Sequence, residues 1–139
     1  MKTLICTVGL PRSGKSTWSM KQGVPVVNPD SIRLALYNQA WIGSAESMIW
    51  SIAHYMVKAL FITGHKTVIL DATNLTDKTR FRWLMPEWTL QFKVFKASEK
   101  TCIQRAKKDS RLDLIPVIEM MADHIDYPTT MLYKKKALA

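Results

Sequence analysis

An α/β fold, a three-layer sandwich built on a central parallel sheet of about four strands, is predicted by three observations. Short continuous apolar runs at 3–8 and 67–71 read as strands buried on both faces. Stretches with helical periodicity lie between and after them. The segment GLPRSGKST at 9–17 joins the first strand directly to the first helix. Strands alternating with helices give a parallel sheet with helices on both faces, and ligands in such sheets bind outside the carboxyl ends of the strands.

Taken in order, TLICTV at 3–8 is the first strand, and Ser13 to Gln22 reads as a helix ended by Gly23. VPVVN at 24–28 is a second strand. A short helix follows from Asp30, whose carboxylate can cap the free amides of SIRLALY. A long helix from near Ser44 to Gly64 is predicted because Met48, Ile49, Ile52, Met56, Val57 and Leu60 recur at helical spacing. TVILD at 67–71 is the third strand. Thr76 can cap a helix through Trp83 before Pro86, LQFKVFKA at 90–97 alternates as a fourth strand, and Ser98 can cap a helix to about Lys108. A last helix is expected over Pro116 to His124, and the basic tail at 133–139, with Lys134 to Lys136, is expected to be unstructured.

With 139 residues, 47% of them hydrophobic, the chain suits one ordinary core, so residues 1–139 are expected to form one domain. Cys6 and Cys102 show no CxxC spacing, which fits a reduced compartment. The opening MKTLICTV is too short an apolar stretch for a signal peptide, and the apolar tract at 45–62 contains Glu46, His54 and Lys58, which marks a buried helix rather than a membrane span. A cytoplasmic location without a membrane partner is the expectation. The net charge of +9 is uneven: residues 93–111 carry seven Lys or Arg against two acids, and 113–126 carry four acids and no Lys or Arg. Such a basic face favours a polyanionic partner, although an ATP enzyme also gathers cations around its phosphates.

The chemistry concentrates at the loop. Gly9, Gly14, Lys15 and Ser16 stand at the spacing GxxxxGK followed by a hydroxyl residue, after a strand and before a helix, which is the P-loop pattern. Its glycines let backbone amides close around phosphates, so Gly9, Pro11, Arg12, Ser13, Gly14, Lys15, Ser16 and Thr17 are the candidate contacts for ATP or another nucleoside triphosphate. Lys15 reaches the β and γ phosphates, and the Ser16 hydroxyl is a magnesium ligand. Asp71, at the end of the third strand, is the second magnesium candidate, with a turn or helix cap as its plain alternative. Asp30 and Arg33 lie one helical turn apart on one face, where a carboxylate can orient an attacking hydroxyl and accept its proton. The alternative for them is a cap beside a solvated arginine.

Four stretches in order, GLPRSGKSTW at 9–18, NPDSIR at 28–33, DATNLTDKTRFRW at 71–83, and KVF at 93–95 with QRAKKDSRLDLIP at 104–116, resemble the kinase domain of phage polynucleotide 5'-hydroxyl kinases and related P-loop kinases of the zeta-toxin-like group. The resemblance implies that Asp30 is the general base and that Arg33 contacts the acceptor and its neighbouring phosphate. It implies an arginine lid at about 104–115, with Arg111 preferred over Arg105 as the arginine that closes on the γ phosphate. Arg80 matches the family arginine after the TN element and is expected to approach the site, while Arg82 is expected in solvent. Arg12 departs from the pattern, which has a small residue there, so it either points to solvent or adds a cation. NQAWIGS is shorter than the family's acceptor-binding region, and Trp41 within it is expected to pack on the core rather than stack on a base.

The function implied is magnesium-dependent transfer of the γ phosphate of ATP to the 5'-hydroxyl at a nucleic acid end, DNA or RNA. The same stretches fit a small-molecule hydroxyl such as a nucleoside, a sugar nucleotide or a hydroxymethylated base. A nucleotide-binding module without catalysis is the remaining alternative. No DxDGT string occurs, so a 3'-phosphatase, like a ligase, is expected as a separate partner.

Overall fold

The computed structural model describes residues 1–136. Its elements are β1 (Thr3–Val8), α1 (Lys15–Met20), β2 (Val26–Val27), α2 (Pro29–Tyr37), α3 (Glu46–Ile62), β3 (Thr67–Leu70), α4 (Asp77–Phe81), β4 (Thr89–Val94), α5 (Glu99–Lys108), α6 (Ile115–His124) and β5 (Leu132–Lys134). Single 3-10 turns at Gly43–Ala45 and Leu112–Leu114 lead into α3 and α6. The sheet runs β2-β3-β1-β4-β5, with the first four strands parallel and β5 antiparallel to β4. This is the expected α/β fold, with five strands in place of about four.

The additional strand corrects the reading of the basic tail. Lys134 pairs with Thr89, and Tyr133, opposite Leu90, sets its ring edge-on to Phe81 and Phe92. An uncovered β4 edge would leave a row of backbone donors and acceptors unpaired, and β5 supplies their partners. Residues 137–139 of the predicted tail lie outside the described residues.

Side-chain alternation along β1 places Leu4, Cys6 and Val8 on one face, where they meet Val68 and Leu70 of β3 and Ile49, Ala53, Val57 and Phe61 of α3 in the larger core. Ile5 and Ile69, paired in register, take the opposite face. A second cluster joins Leu10 of the loop to Cys102 and Ala106 of α5 and Ile118 of α6, so the segment after β4 packs directly on the P-loop. Cys6 and Cys102 are both free and buried. Among the described residues, no helix is long and apolar enough to cross a membrane.

The predicted caps form at Thr76, which accepts from the Thr79 amide at 3.3 Å, and at Ser98, which accepts from the Thr101 amide at 3.1 Å. Helix α2 is capped differently from expectation. Asn28, not Asp30, accepts from the Ser31 amide at 3.2 Å, because Pro29 takes the first helical position and leaves the preceding residue as cap. The Asp30 carboxylate is thereby left for Arg33. Helix α4 ends at Phe81 instead of Trp83, since the amides of Trp83 and Leu84 each bond three residues back, to Arg80 and Phe81.

Candidate active site

The parallel sheet gathers three loops at one edge. The Gly9 amide donates to the Thr73 carbonyl at 3.1 Å and the Phe95 amide to the Val8 carbonyl at 2.8 Å, so the exit of β1 is clasped by the chain leaving both neighbouring strands. A Cβ on Gly9 would sit 2.8 Å from the Phe95 carbonyl oxygen and 2.7 Å from Ser13 Oγ, which is why the position is glycine. Gly14 has φ 104° and opens α1. Between them the loop curls over its own lysine, whose Nζ donates to the Leu10 carbonyl at 2.6 Å and lies 3.4 Å from Ser13 Oγ. Burial pushes the Lys15 ammonium down to about 8, against an opposing pull led by Asp71 and shared by Asp30. An anionic phosphate here would relieve the desolvation that lowers Lys15.

Asp71 closes β3, and its backbone amide donates to the Val27 carbonyl at 2.9 Å. Its Oδ2 accepts from Ser16 Oγ at 2.7 Å and from Asn28 Nδ2 at 3.3 Å, and Thr7 Oγ1 lies 3.4 Å from its Oδ1. Thr7 is itself pinned, donating to the Ala72 carbonyl at 2.8 Å and accepting from the Ala72 amide at 3.0 Å. A hydroxyl and a buried carboxylate side by side are hard oxygen donors of the kind magnesium prefers alongside phosphates and water. The pair thus fits that ion. The side chains that would hold it are Ser16 and Asp71, which already meet at 2.7 Å.

Across the loop, in the first turn of α2, Asp30 Oδ1 accepts from Arg33 at 2.6 Å while three quarters of its side chain stays exposed. Arg33 is buried and doubly held from α3: Nε donates to Glu46 Oε2 at 2.8 Å and a terminal nitrogen to Oε1 at 2.5 Å. The hydrogen bond to Glu46 raises the Arg33 pKa further. Three of its five N–H groups are occupied, and one on each terminal nitrogen remains. Sequence reasoning missed Glu46, which lies on another helix.

Two expectations fail here. Trp41 does not pack on the core: it is 64% exposed, with the Arg33 guanidinium 5.5 Å from its ring centroid. A loop this short, leaving α2 through the left-handed Asn38, does not carry the indole to the core. Arg80 does not approach the phosphates. It is fully buried, donating to the carbonyls of Asn74 and Asp126 at 2.9 Å each and to Asp77 at 2.6 Å, with an ion pair to Asp126 as well. It ties α4 to the segment after α6, a partnership separated by 46 residues and so invisible to local pattern. Arg82 is exposed, as expected.

The lid candidates separate. Arg105, on α5, donates to the Arg12 carbonyl at 3.0 Å and so touches the P-loop. Arg111 pairs with Asp113 at 3.0 Å in solvent. Arg12, in the left-handed region at φ 67°, turns its side chain to Asp109 at 2.8 Å, joining loop and α5 instead of facing the phosphates. Pro11 and Ser13 complete the loop, and Thr17 is exposed on α1.

A glycine-bounded loop wrapped on a desolvated lysine, with a hydroxyl and carboxylate at its flank and both neighbouring strands parallel to the one it leaves, makes this a P-loop kinase domain. The chain belongs to the AAA_33 family, described as an AAA domain, whose model matches residues 4–113. Among solved structures it is similar to a chain of the Pnkp1/Rnl/Hen1 complex, with TM-score 0.66 and 26% identity over 75% of this chain and 38% of that one. It is similar to a chain of the Pnkp1/Rnl/Hen1 RNA repair complex, with TM-score 0.70 and 22% identity over 96% of this chain and 48% of the other. A gluconokinase from Sinorhizobium meliloti 1021 shares the fold with TM-score 0.64 and 15% identity, over 91% of this chain and 77% of that one. The chain thus spans less than half the length of the two repair-complex chains it matches.

Proposed function

We propose that this domain transfers the γ phosphate of ATP to the 5'-hydroxyl of a polynucleotide. The observation that carries the reading is the anchoring of the acceptor side to the donor side: Asn28, which caps the helix bearing the exposed Asp30, reaches Asp71 at 3.3 Å, and Asp71 in turn holds the P-loop hydroxyl of Ser16 at 2.7 Å. Loop amides and Lys15 hold the β and γ phosphates of the donor. Asp30 accepts the proton of the acceptor hydroxyl as its oxygen bonds to the γ phosphorus, and the bond to the β-bridging oxygen breaks to release ADP. Arg33 uses its two remaining N–H groups on the acceptor's neighbouring phosphate. Ser16 and Asp71 would hold a magnesium ion, which would supply positive charge to the donor's phosphates. Arg105, already against the loop, or Arg111 supplies the guanidinium that neutralises the charge developing on the γ oxygens.

The likeness to a chain of an RNA repair complex supports a nucleic acid acceptor, and separate phosphatase or ligase partners belong to the same proposal. The test is transfer of labelled γ phosphate to a short oligonucleotide with a 5'-hydroxyl, beside the same oligomer already 5'-phosphorylated and beside free nucleosides and sugars. Label on the first alone is expected; label only on nucleosides or sugars assigns a small-molecule acceptor, and ATP binding with no acceptor at all assigns a non-catalytic module. Within the working enzyme, Lys15→Ala is expected to abolish turnover. Asp30→Ala is expected to keep ATP affinity while kcat drops by roughly 10²–10⁴, and equal loss of ATP binding by both variants would remove Asp30 from the acceptor side.

A further inference from the structure

Trp41 has no role in the mechanism above, yet it is the most exposed tryptophan of the chain, at 64%. It is also not free to wander. The α2–α3 loop that bears it is bounded by Asn38 in the left-handed region at φ 53° and by the 3-10 turn whose Ala45 amide donates to the Ile42 carbonyl at 3.0 Å. The guanidinium against the indole is itself immobilised, since Arg33 is buried and bonded to Glu46 twice and to Asp30 once. A rigid cation therefore supports the ring, and the ring's exposure leaves aromatic surface open to solvent.

The position of this surface is as informative as its exposure. A single guanidinium links the indole, at 5.5 Å, to the carboxylate proposed to receive the acceptor's proton, at 2.6 Å. A nucleotide whose 5'-oxygen lies at Asp30 has its own base one sugar away, the same scale as the width of Arg33. Successive bases are held on aromatic rings in single-strand binding because every base offers a π face. A sugar acid or other base-free alcohol has nothing to place there.

We infer that Trp41, braced by Arg33, is the stacking platform for the 5'-terminal nucleobase of a single-stranded acceptor, and so determines preference for base-bearing over base-free hydroxyls. The inference rests on the kinase reading for the placement of the acceptor oxygen.

The experiment compares the wild-type chain with Trp41→Ala and Trp41→Phe on two acceptors, a 5'-hydroxyl oligonucleotide and the same oligomer with an abasic 5'-terminal nucleotide. Indole fluorescence is followed separately as each oligomer is added without ATP. Because Trp41 is exposed, both variants are expected to unfold at the wild-type temperature. Trp41→Ala is expected to raise KM for the base-bearing acceptor about ten-fold or more with little change in kcat, Trp41→Phe much less. On the abasic acceptor all three proteins are expected to match. The wild-type indole signal is expected to be quenched by the base-bearing oligomer, and the quenching to vanish in Trp41→Phe. Equal KM losses on both acceptors, no loss, or quenching that persists without Trp41 would each overturn the platform. Should no 5'-hydroxyl accept label from the wild type, the kinase reading fails, and the quenching comparison alone still decides whether Trp41 stacks on a base.

Discussion

Single atoms decide how this loop works, and Gly9 shows it most directly. A methyl group there would press on the Phe95 carbonyl oxygen at 2.8 Å, and that carbonyl belongs to backbone already fixed by the 2.8 Å bond from the Phe95 amide to Val8. The clash cannot be relieved by turning a side chain. Gly9→Ala is therefore expected to cost about 1–3 kcal/mol in urea unfolding and to weaken binding of a fluorescent ATP analogue at least ten-fold, through the displaced loop amides. Unchanged stability and affinity would show that the approach of the 95 segment does not shape the loop. Lys15 shows the complementary effect: its burial makes its charge costly until an anion arrives, so the loop is built for a phosphate.

At the scale of elements, local signals were legible and distant ones were not. The long apolar periodicity of α3 and the hydroxyl caps of α4 and α5 could be read from neighbouring residues, and the structure places them within a residue or two. At α2 the sequence reading puts the cap at Asp30, whereas the proline at the first helical position makes Asn28 the cap. β5 was missed because it is three residues long, lysine-bearing and defined by pairing with β4 about 40 residues earlier. Of the site, the glycine loop, Ser16, Asp71 and the Asp30–Arg33 pair were legible as spacing; the grip of Glu46 on Arg33 and the burial of Arg80 depend on helices meeting across the fold. α3 carries another such meeting. His54 stacks on Trp83 with ring centroids 4.2 Å apart and planes 8° from parallel. Burial lowers its pKa; the Arg82 backbone and Glu87 favour the cation, and Lys58 opposes it. Because the folded imidazole binds its proton less readily than the unfolded one, stability present above about pH 6.5 is lost as pH falls through the imidazole range. Unfolding midpoints in urea from pH 7.5 to 5 should therefore fall more for the wild type than for His54→Phe, which keeps the stacked ring without a titrating group. Parallel curves would show that His54 protonates equally in both states.

For the molecule as a whole, the question is how +9 charges are arranged. The cations of the basic stretch are all exposed but differ in their contacts: Lys93 lies over the Trp18 and Phe95 rings, Lys96 over Tyr127, and Arg105 donates to the Arg12 carbonyl, whereas Lys100, Lys107 and Lys108 along α5 make no such contact. Glu119 and Asp123 of α6 are exposed, and among the described residues the salt bridges on this part of the chain join Arg12 to Asp109 and Arg111 to Asp113. α5 touches the P-loop through Arg105, and the exposed Lys107 and Lys108 follow that contact directly along the helix. A strand neutralised by three to five such contacts releases condensed counterions, and with a slope of about 0.7 per phosphate the affinity should fall roughly ten- to hundred-fold between 50 and 200 mM salt. ATP binding, confined to the loop, should change far less. Replacing Lys107 and Lys108 together by glutamine is expected to lower the slope of log affinity against log salt by one to two while leaving kcat at saturating oligonucleotide near its original value. A slope unaltered by the double substitution would move the docking face off α5, and a flat salt response of the wild type would mean that the surplus charge serves no polyanion at all.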